Sequence, residues 1–151
     1  MGLTPQAINA RKGARRLAMQ ALYQWQLAGT SVRDIQSQFK EQEEYARVDQ
    51  AYFCELVSRV PECKQELLEV LPGEHSRAWE NVDPVELAVL LIGLYELRYR
   101  LDIPYRAVLN EAVNLAKKFG AEQSYKFING LLDKAARVWR ALEVNAAAGR
   151  V

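Results

Sequence analysis

Apolar residues recur three and four apart along most of this chain, and the strict alternation of a half-buried strand is absent. The pattern predicts an all-α fold. Ala14, Leu17, Ala18, Ala21, Trp25 and Ala28 mark one face of a first helix. Gly29 ends it, because glycine accepts a left-handed backbone cheaply. Ser31 with Asp34 reads as a capping pair opening a second helix that carries Ile35 and Phe39 on one side. The acidic residues 41–44 read as a solvated connection. Asp49 then caps a third helix that turns Tyr52, Phe53, Leu56 and Val60 inward. A new helix is expected at Pro61, whose nitrogen has no hydrogen to donate, with Leu67, Leu68 and Leu71 apolar and Pro72-Gly73 as its end.

The clearest start signal is Asp83-Pro84-Val85-Glu86: an N-cap, a proline at the first helical position and a glutamate placed to close a capping box. Residues 87–97 are apolar on most sides, which predicts a helix central to its bundle. Asp102-Ile103-Pro104 turns into a helix with Val108, Ala112, Leu115, Ala116 and Phe119 on one face. Gly120 ends it and Ser124 is expected to cap a last helix burying Phe127, Ile128, Leu131, Leu132, Ala135 and Val138. Asn129-Gly130 falls inside that helical period, and close approach of another helix would explain a glycine costing ~1 kcal/mol relative to alanine.

At 151 residues, 50% hydrophobic and 26% charged, the chain has the length and composition of one ordinary globular domain. A single domain over 1–151 is expected, with a flexible arm at about 1–10 and a fraying tail from Val144. The longest apolar run, 87–95, is too short for a bilayer span. No apolar stretch followed by a small-residue cleavage site opens the chain. Cys54 and Cys63 read as reduced thiols rather than a disulfide framework. A cytoplasmic protein is the simplest expectation.

Catalytic patterns are poor. His75 is the only histidine, which excludes paired-histidine metal sites, and it reads as an exposed loop residue. Cys54 and Cys63 lack the close spacing of a zinc knuckle. Nothing supports a Cys–His nucleophile pair. Glu43 and Glu44 read as a solvated patch, and there is no glycine-rich phosphate loop. No enzyme activity, cofactor, metal or small-molecule substrate is expected.

With a net charge of only +1, affinity for nucleic acid has to come from uneven placement of charge. Arg11, Lys12, Arg15 and Arg16 form a cluster with no carboxylate before Asp34. A solubilising surface is the plain alternative. Against it, these cations are expected near the start of the first helix, where the macrodipole disfavours positive charge by ~0.3–1 kcal/mol. Arg15 and Arg16 share a side with Met19, Gln20 and Tyr23, away from Leu17, Ala21 and Trp25. The second candidate region is the break at 119–124. Lys117 and Lys118 precede it, though cations at a helix C-terminus are favoured in any case. Gln123, Ser124 and Tyr125 offer polar groups and a ring able to stack on a base, or simply cap and pack. Phe127 is either core by periodicity or a rim aromatic facing nucleotides. Together these features suggest an all-helical RNA-binding protein.

The chain resembles the NusB family of bacterial transcription antitermination factors. The resemblance is carried by Ala14-Arg15-Arg16-Leu17-Ala18-Met19-Gln20-Ala21-Leu22-Tyr23-Gln24-Trp25-Gln26-Leu27, by residues 83–97, by Asp102-Ile103-Pro104-Tyr105, and by Asn110-Glu111-Ala112 through Lys134-Ala135. Residues 31–79 match mainly in helical pattern. The resemblance implies two small helical bundles packed in one compact domain, and no chemistry. It implies pairing with ribosomal protein S10 (NusE), binding of boxA-type RNA in ribosomal RNA leaders, and help in building an RNA polymerase complex that ignores terminators. The family's arginine-rich motif falls on Arg11, Lys12, Arg15 and Arg16, interrupted here by Gly13. Its second RNA-contacting area falls on Lys117, Lys118, Phe119, Gln123 and Phe127, with Gln123 where some relatives carry an acid. Its S10-facing surface would include Tyr23, Glu80 and Glu86, although capping also explains Glu86. The two basic regions are expected to form one groove for a single strand.

Two other classes stay open. One is a purely protein-binding helical adaptor. The other is an RNA-targeting module, since a similar domain precedes the catalytic domain of some ribosomal RNA cytosine methyltransferases. No cofactor-binding βαβ pattern precedes Val151, so a complete enzyme of that kind is not expected.

Overall fold

A computed structural model describes residues 2–71 and 79–149; His75 and the Pro72-Gly73 stop fall outside the described residues. All regular structure among the described residues is helical: α1 (Pro5–Ala28), α2 (Val32–Lys40), α3 (Gln50–Leu68), α4 (Pro84–Tyr99), α5 (Tyr105–Phe119), α6 (Ser124–Trp139) and α7 (Ala141–Ala147), with short 3-10 turns at Glu43–Arg47 and Trp79–Asn81. No helix among them is long and apolar enough to cross a membrane. The chain divides into two compact units, Met1–Glu62 and Cys63–Val151.

In the first unit, α1 starts at Pro5 behind the Thr4 cap, inside the stretch expected to be a flexible arm, and stops at Gly29 with φ 64°. Burial of α1 is wider than one stripe. Gly13, Ala14, Arg15, Leu17, Ala18, Met19, Ala21 and Leu22 are all buried. Opposite this buried face, a line three and four residues apart reaches solvent: Asn9, Lys12, Arg16, Gln20, Tyr23 and Leu27. Gly13 is a contact point and not merely a gap in the basic run: a Cβ there would lie 2.7 Å from Val48 Cγ1. The adjacent Asp49 N–H donates to the Ala10 carbonyl at 3.0 Å. Asp49 also caps α3, accepting from the Tyr52 N–H at 3.0 Å. The Ser31 cap forms as the sequence predicts. Phe53 is packed by the rings of Phe39 at 5.5 Å and Tyr45, edge-on, at 5.6 Å.

Pro61 does not begin a helix; it lies inside α3. Proline in a helix interior costs ~3 kcal/mol. Val60 and Leu67 are fully buried on either side of it. Each large apolar side chain removed from water contributes ~1.5–3 kcal/mol, so continuing the helix wins.

In the second unit, α4 is central: every residue of 86–97 is buried. Asp83 caps it through the N–H groups of Val85 and Glu86, at 2.8 and 3.2 Å. The close helix approach is at Gly93, where a Cβ would lie 2.7 Å from a Leu132 methyl. Gly130, expected to mark such an approach, faces open space instead. On α6 the buried set is Ser124, Ile128, Leu131, Leu132, Ala135 and Ala136. Val138 is 62% exposed, because the apolar line passes from Ala135 to Trp139.

The C-terminal tail is not loose from Val144: α7 runs to Ala147 and buries that valine. Arg140 anchors the junction. Its guanidinium is buried and donates to the Glu96, Leu97 and Arg100 carbonyls at 3.1, 2.8 and 3.0 Å, tying α6 to the C-terminal end of α4, where the Glu96 and Arg100 carbonyls also accept the Arg100 and Ile103 N–H groups. Glu143 holds Arg140 at 2.7 Å and also accepts from the Tyr105 N–H at 2.7 Å.

Candidate nucleic-acid interface

The N-terminal basic cluster sits deeper in α1 than the sequence reading assumed. Five helical residues separate Pro5 from Arg11. The macrodipole acts mainly on the first turn, so it neither opposes nor explains these cations. Nor does the cluster lack a neutralising partner: Arg16 pairs with Glu44 across the unit. Arg15 is the larger correction. It is 6% exposed, and its guanidinium lies 5.7 Å from the centre of the buried Tyr52 ring. Burial around most of α1 turns Arg15 inward, so it packs the interior rather than presenting an open cation. Arg11 shares the same ring at 5.2 Å while remaining partly exposed.

The outward cations are therefore Lys12 and Arg16, on one line of α1 with Tyr23 and Leu27. Tyr23 is 39% and Leu27 59% exposed, which gives the far end of that line an apolar character. Eleven residues at ~1.5 Å rise place Tyr23 about 16 Å from Lys12 along the helix.

The second region is built around one tight connection. Gly120 is required there by close approach, since a Cβ would meet the Ala116 carbonyl at 2.7 Å and the Ser124 hydroxyl. Ser124 is not the cap of α6. It is the first helical residue, and its buried hydroxyl donates back to the Ala121 carbonyl at 2.8 Å. Gln123 occupies the cap position with φ 73°, the only positive φ at a non-glycine among the described residues. The αL conformation costs an L-residue ~1–2 kcal/mol. The turn fixes the backbone there and leaves the Gln123 amide exposed.

Lys117, Lys118 and Lys126 all face solvent around this turn. The ammonium groups of Lys117 and Lys118 lie 4.8 Å from the Tyr125 ring and 5.5 Å from the Phe119 ring. No ion pair holds these lysines among the described residues. Phe119, Tyr125 and Phe127 are each half-buried, which corrects Phe127 as a core residue and makes it a rim aromatic. Lys126 was missed by the sequence reading, although it lies between two residues that reading named. Cations interleaved with partly open rings suit a single strand, whose phosphates and base faces they complement.

Of the residues expected to face a protein partner, Tyr23 and Glu80 are exposed, whereas Glu86 is 9% exposed in the first turn of α4. No group of three or more His, Cys, Asp or Glu arranged to hold a metal occurs among the described residues. The profile of the NusB family matches residues 12–137.

The chain belongs to the NusB family. It is 47% identical over 141 residues to the transcription antitermination protein NusB of Alcanivorax borkumensis, covering 93% of this chain and 94% of that one. It is 50% identical over 138 residues to that of Teredinibacter turnerae, covering 91% and 94%. For that of Shewanella pealeana the figures are 48% over 124 residues, covering 82% and 92%. The family match begins at Lys12 and so takes in the outward line of α1 from that residue on, and it ends two residues short of the end of α6.

Proposed function

We propose that this NusB family member is a transcription antitermination factor. It binds boxA-type single-stranded RNA together with ribosomal protein S10 and promotes processive transcription of ribosomal RNA operons within an RNA polymerase complex. The observation that carries the RNA reading is the α5–α6 turn, where three solvent-facing lysines surround half-buried rings with no ion pair among the described residues. Phosphates bind Lys117, Lys118 and Lys126. Bases stack on Phe119, Tyr125 and Phe127, and the Gln123 amide meets a base edge or a phosphate. On α1, Lys12, Arg16 and the open side of Arg11 supply further phosphate contacts, with Arg15 holding the cluster in place from beneath.

The outward line of α1 supports the role given to S10. Its polar end carries Lys12 and Arg16, and its apolar end carries Tyr23 and Leu27. A protein docked on Tyr23 would lie beside RNA held on the same helix; Glu80 is the contact we propose for it in the second unit. The docked protein would thereby add surface to the same ligand. The family reading assigns no chemistry, metal or cofactor to the chain.

The test is a titration of boxA-like and scrambled RNA, with and without S10, at two salt concentrations. The expected result is weak binding alone and tighter, sequence-selective binding with S10. The six phosphate contacts named here predict a log–log salt slope of roughly −4 on a single strand. Equal affinity for boxA-like and scrambled RNA in the presence of S10 would overturn the proposal.

A further inference from the structure

A cleft of about 410 Å³ opens between α5, α6 and α7, outside every residue considered so far for RNA or protein binding. Its volume falls within the ~300–1,000 Å³ typical of small-ligand sites. Leu109 and Val144 line it on the apolar side, and Asn110 of α5 and Asn129 of α6 bring one exposed carboxamide each from facing helices. Neither amide has a partner among the described residues. Arg106 reaches the rim while its guanidinium rests 5.4 Å from the Tyr105 ring. Arg137 is committed to Asp133 at 3.0 Å, so this side of the cleft is nearly neutral.

Helical register joins the cleft to the lysine turn. Asn110 and Lys117 are seven apart, and Lys126 and Asn129 three apart; each pair shares a helix face. All four are exposed. Gly130 lies beside Asn129 with nothing within 4 Å of where its Cβ would be, so the helix surface next to that amide is open. A strand leaving the turn meets two lines of polar groups that lead to an apolar-backed pocket carrying two amides.

We propose that this cleft holds a base of the same single-stranded RNA, beyond the nucleotides bound at the turn. The Asn110 and Asn129 amides read the base edge, and Arg106 takes the adjoining phosphate. Carboxamides both donate and accept, which suits the edges of an unstacked base, while the neutral Arg137–Asp133 side offers little to a bare anion. The site rests on the RNA reading above and deepens it.

The experiment uses the full chain and a ladder of single-stranded RNAs, lengthened one nucleotide at a time from the shortest that binds. Wild-type affinity is expected to rise by about tenfold, the size of one well-held base, at the length that reaches the cleft. The double variant Asn110→Ala with Asn129→Ala should lose that step while binding the shortest RNA as before, with an unchanged salt slope. Gly130→Leu should also lose the step by crowding the approach to the neighbouring Asn129 amide. That variant keeps its fold, because the position is open and leucine is the better helix former. Persistence of the step in both variants, or its absence in the wild type, would overturn the cleft while leaving the turn intact. Failure of the wild type to bind any RNA would instead overturn the RNA reading and the cleft with it.

Discussion

The two basic regions are used in opposite ways. On α1, Arg11 and Arg15 share the Tyr52 ring and Arg16 pairs with Glu44. That cluster is anchored in its unit through the buried Arg15, and part of its charge is already committed. At the α5–α6 turn, Lys117, Lys118 and Lys126 stand in solvent; Lys117 and Lys118 lie over the Tyr125 and Phe119 rings, and no ion pair holds any of the three among the described residues. Arginine suits the first setting, since its planar group stacks on rings and is less strongly hydrated than an ammonium. Lysine suits the second, where a mobile point charge meets phosphate. A count of cations therefore misjudges both regions: what matters is which charges the fold has already spoken for.

The sharpest way to break this contrast is Arg15→Ala. It removes a stem buried to 6% exposure and a guanidinium against Tyr52. The expected destabilisation is about 2–4 kcal/mol by urea denaturation, in the range of buried large-to-small changes. Arg15→Lys should recover only part of it, because an ammonium does not stack as a guanidinium does. Unchanged stability combined with lost RNA affinity would make Arg15 a phosphate contact and collapse the distinction between the two regions.

The converse change is Lys117→Ala with Lys118→Ala. Both side chains are exposed, so stability should stay within ~0.5 kcal/mol. RNA binding should weaken similarly for all sequences, and the salt slope should fall by about 1.4 if each lysine meets one phosphate. A slope equal to that of the wild type would remove both lysines from the strand.

A smaller effect separates committed from available charge inside the α1 cluster. Glu44→Gln leaves Arg16 in place without its counter-charge. The pair is partly exposed, so its loss should cost at most ~1 kcal/mol. If phosphate competes with Glu44 for Arg16, RNA affinity should rise and the salt slope steepen by up to ~0.7. Anisotropy titrations showing no change in either would leave Arg16 as a purely internal partner.

What the sequence made visible follows the same division between local and non-local causes. The Ser31, Asp49 and Asp83 caps, the Gly29 stop and the all-round apolar α4 each depend on a few neighbouring residues, and all are present. The errors came from tertiary partners. Pro61 continues α3 because buried neighbours outweigh its local penalty. Gly13 and Gly93 face packed side chains, whereas Gly130 faces none, and nothing in their immediate neighbours distinguishes them. The Arg15 position was visible, but Tyr52 lies 37 residues on (52 − 15) and could not be assigned to it by spacing. The lysine turn was legible because its cations and rings are contiguous; the cleft was not, because Asn110 and Asn129 meet only through helix packing.

The smallest expected effect concerns the strain held at Gln123. Its left-handed backbone costs ~1–2 kcal/mol, while glycine forfeits ~0.5–1 kcal/mol through its freer unfolded chain. Gln123→Gly should therefore stabilise the protein by only about 0.5 kcal/mol. If the exposed amide contacts RNA, the same change should weaken binding severalfold. Gln123→Ala should weaken binding equally without the stabilisation, since alanine keeps the strain and lacks the amide. That pair of results would mean that the turn holds a conformation the fold does not need, in order to present a polar group. The α1 cluster would remain its opposite, holding cations the fold does need. Wild-type affinity in both variants would reduce Gln123 to a connector and leave the lysines and rings to carry the site alone.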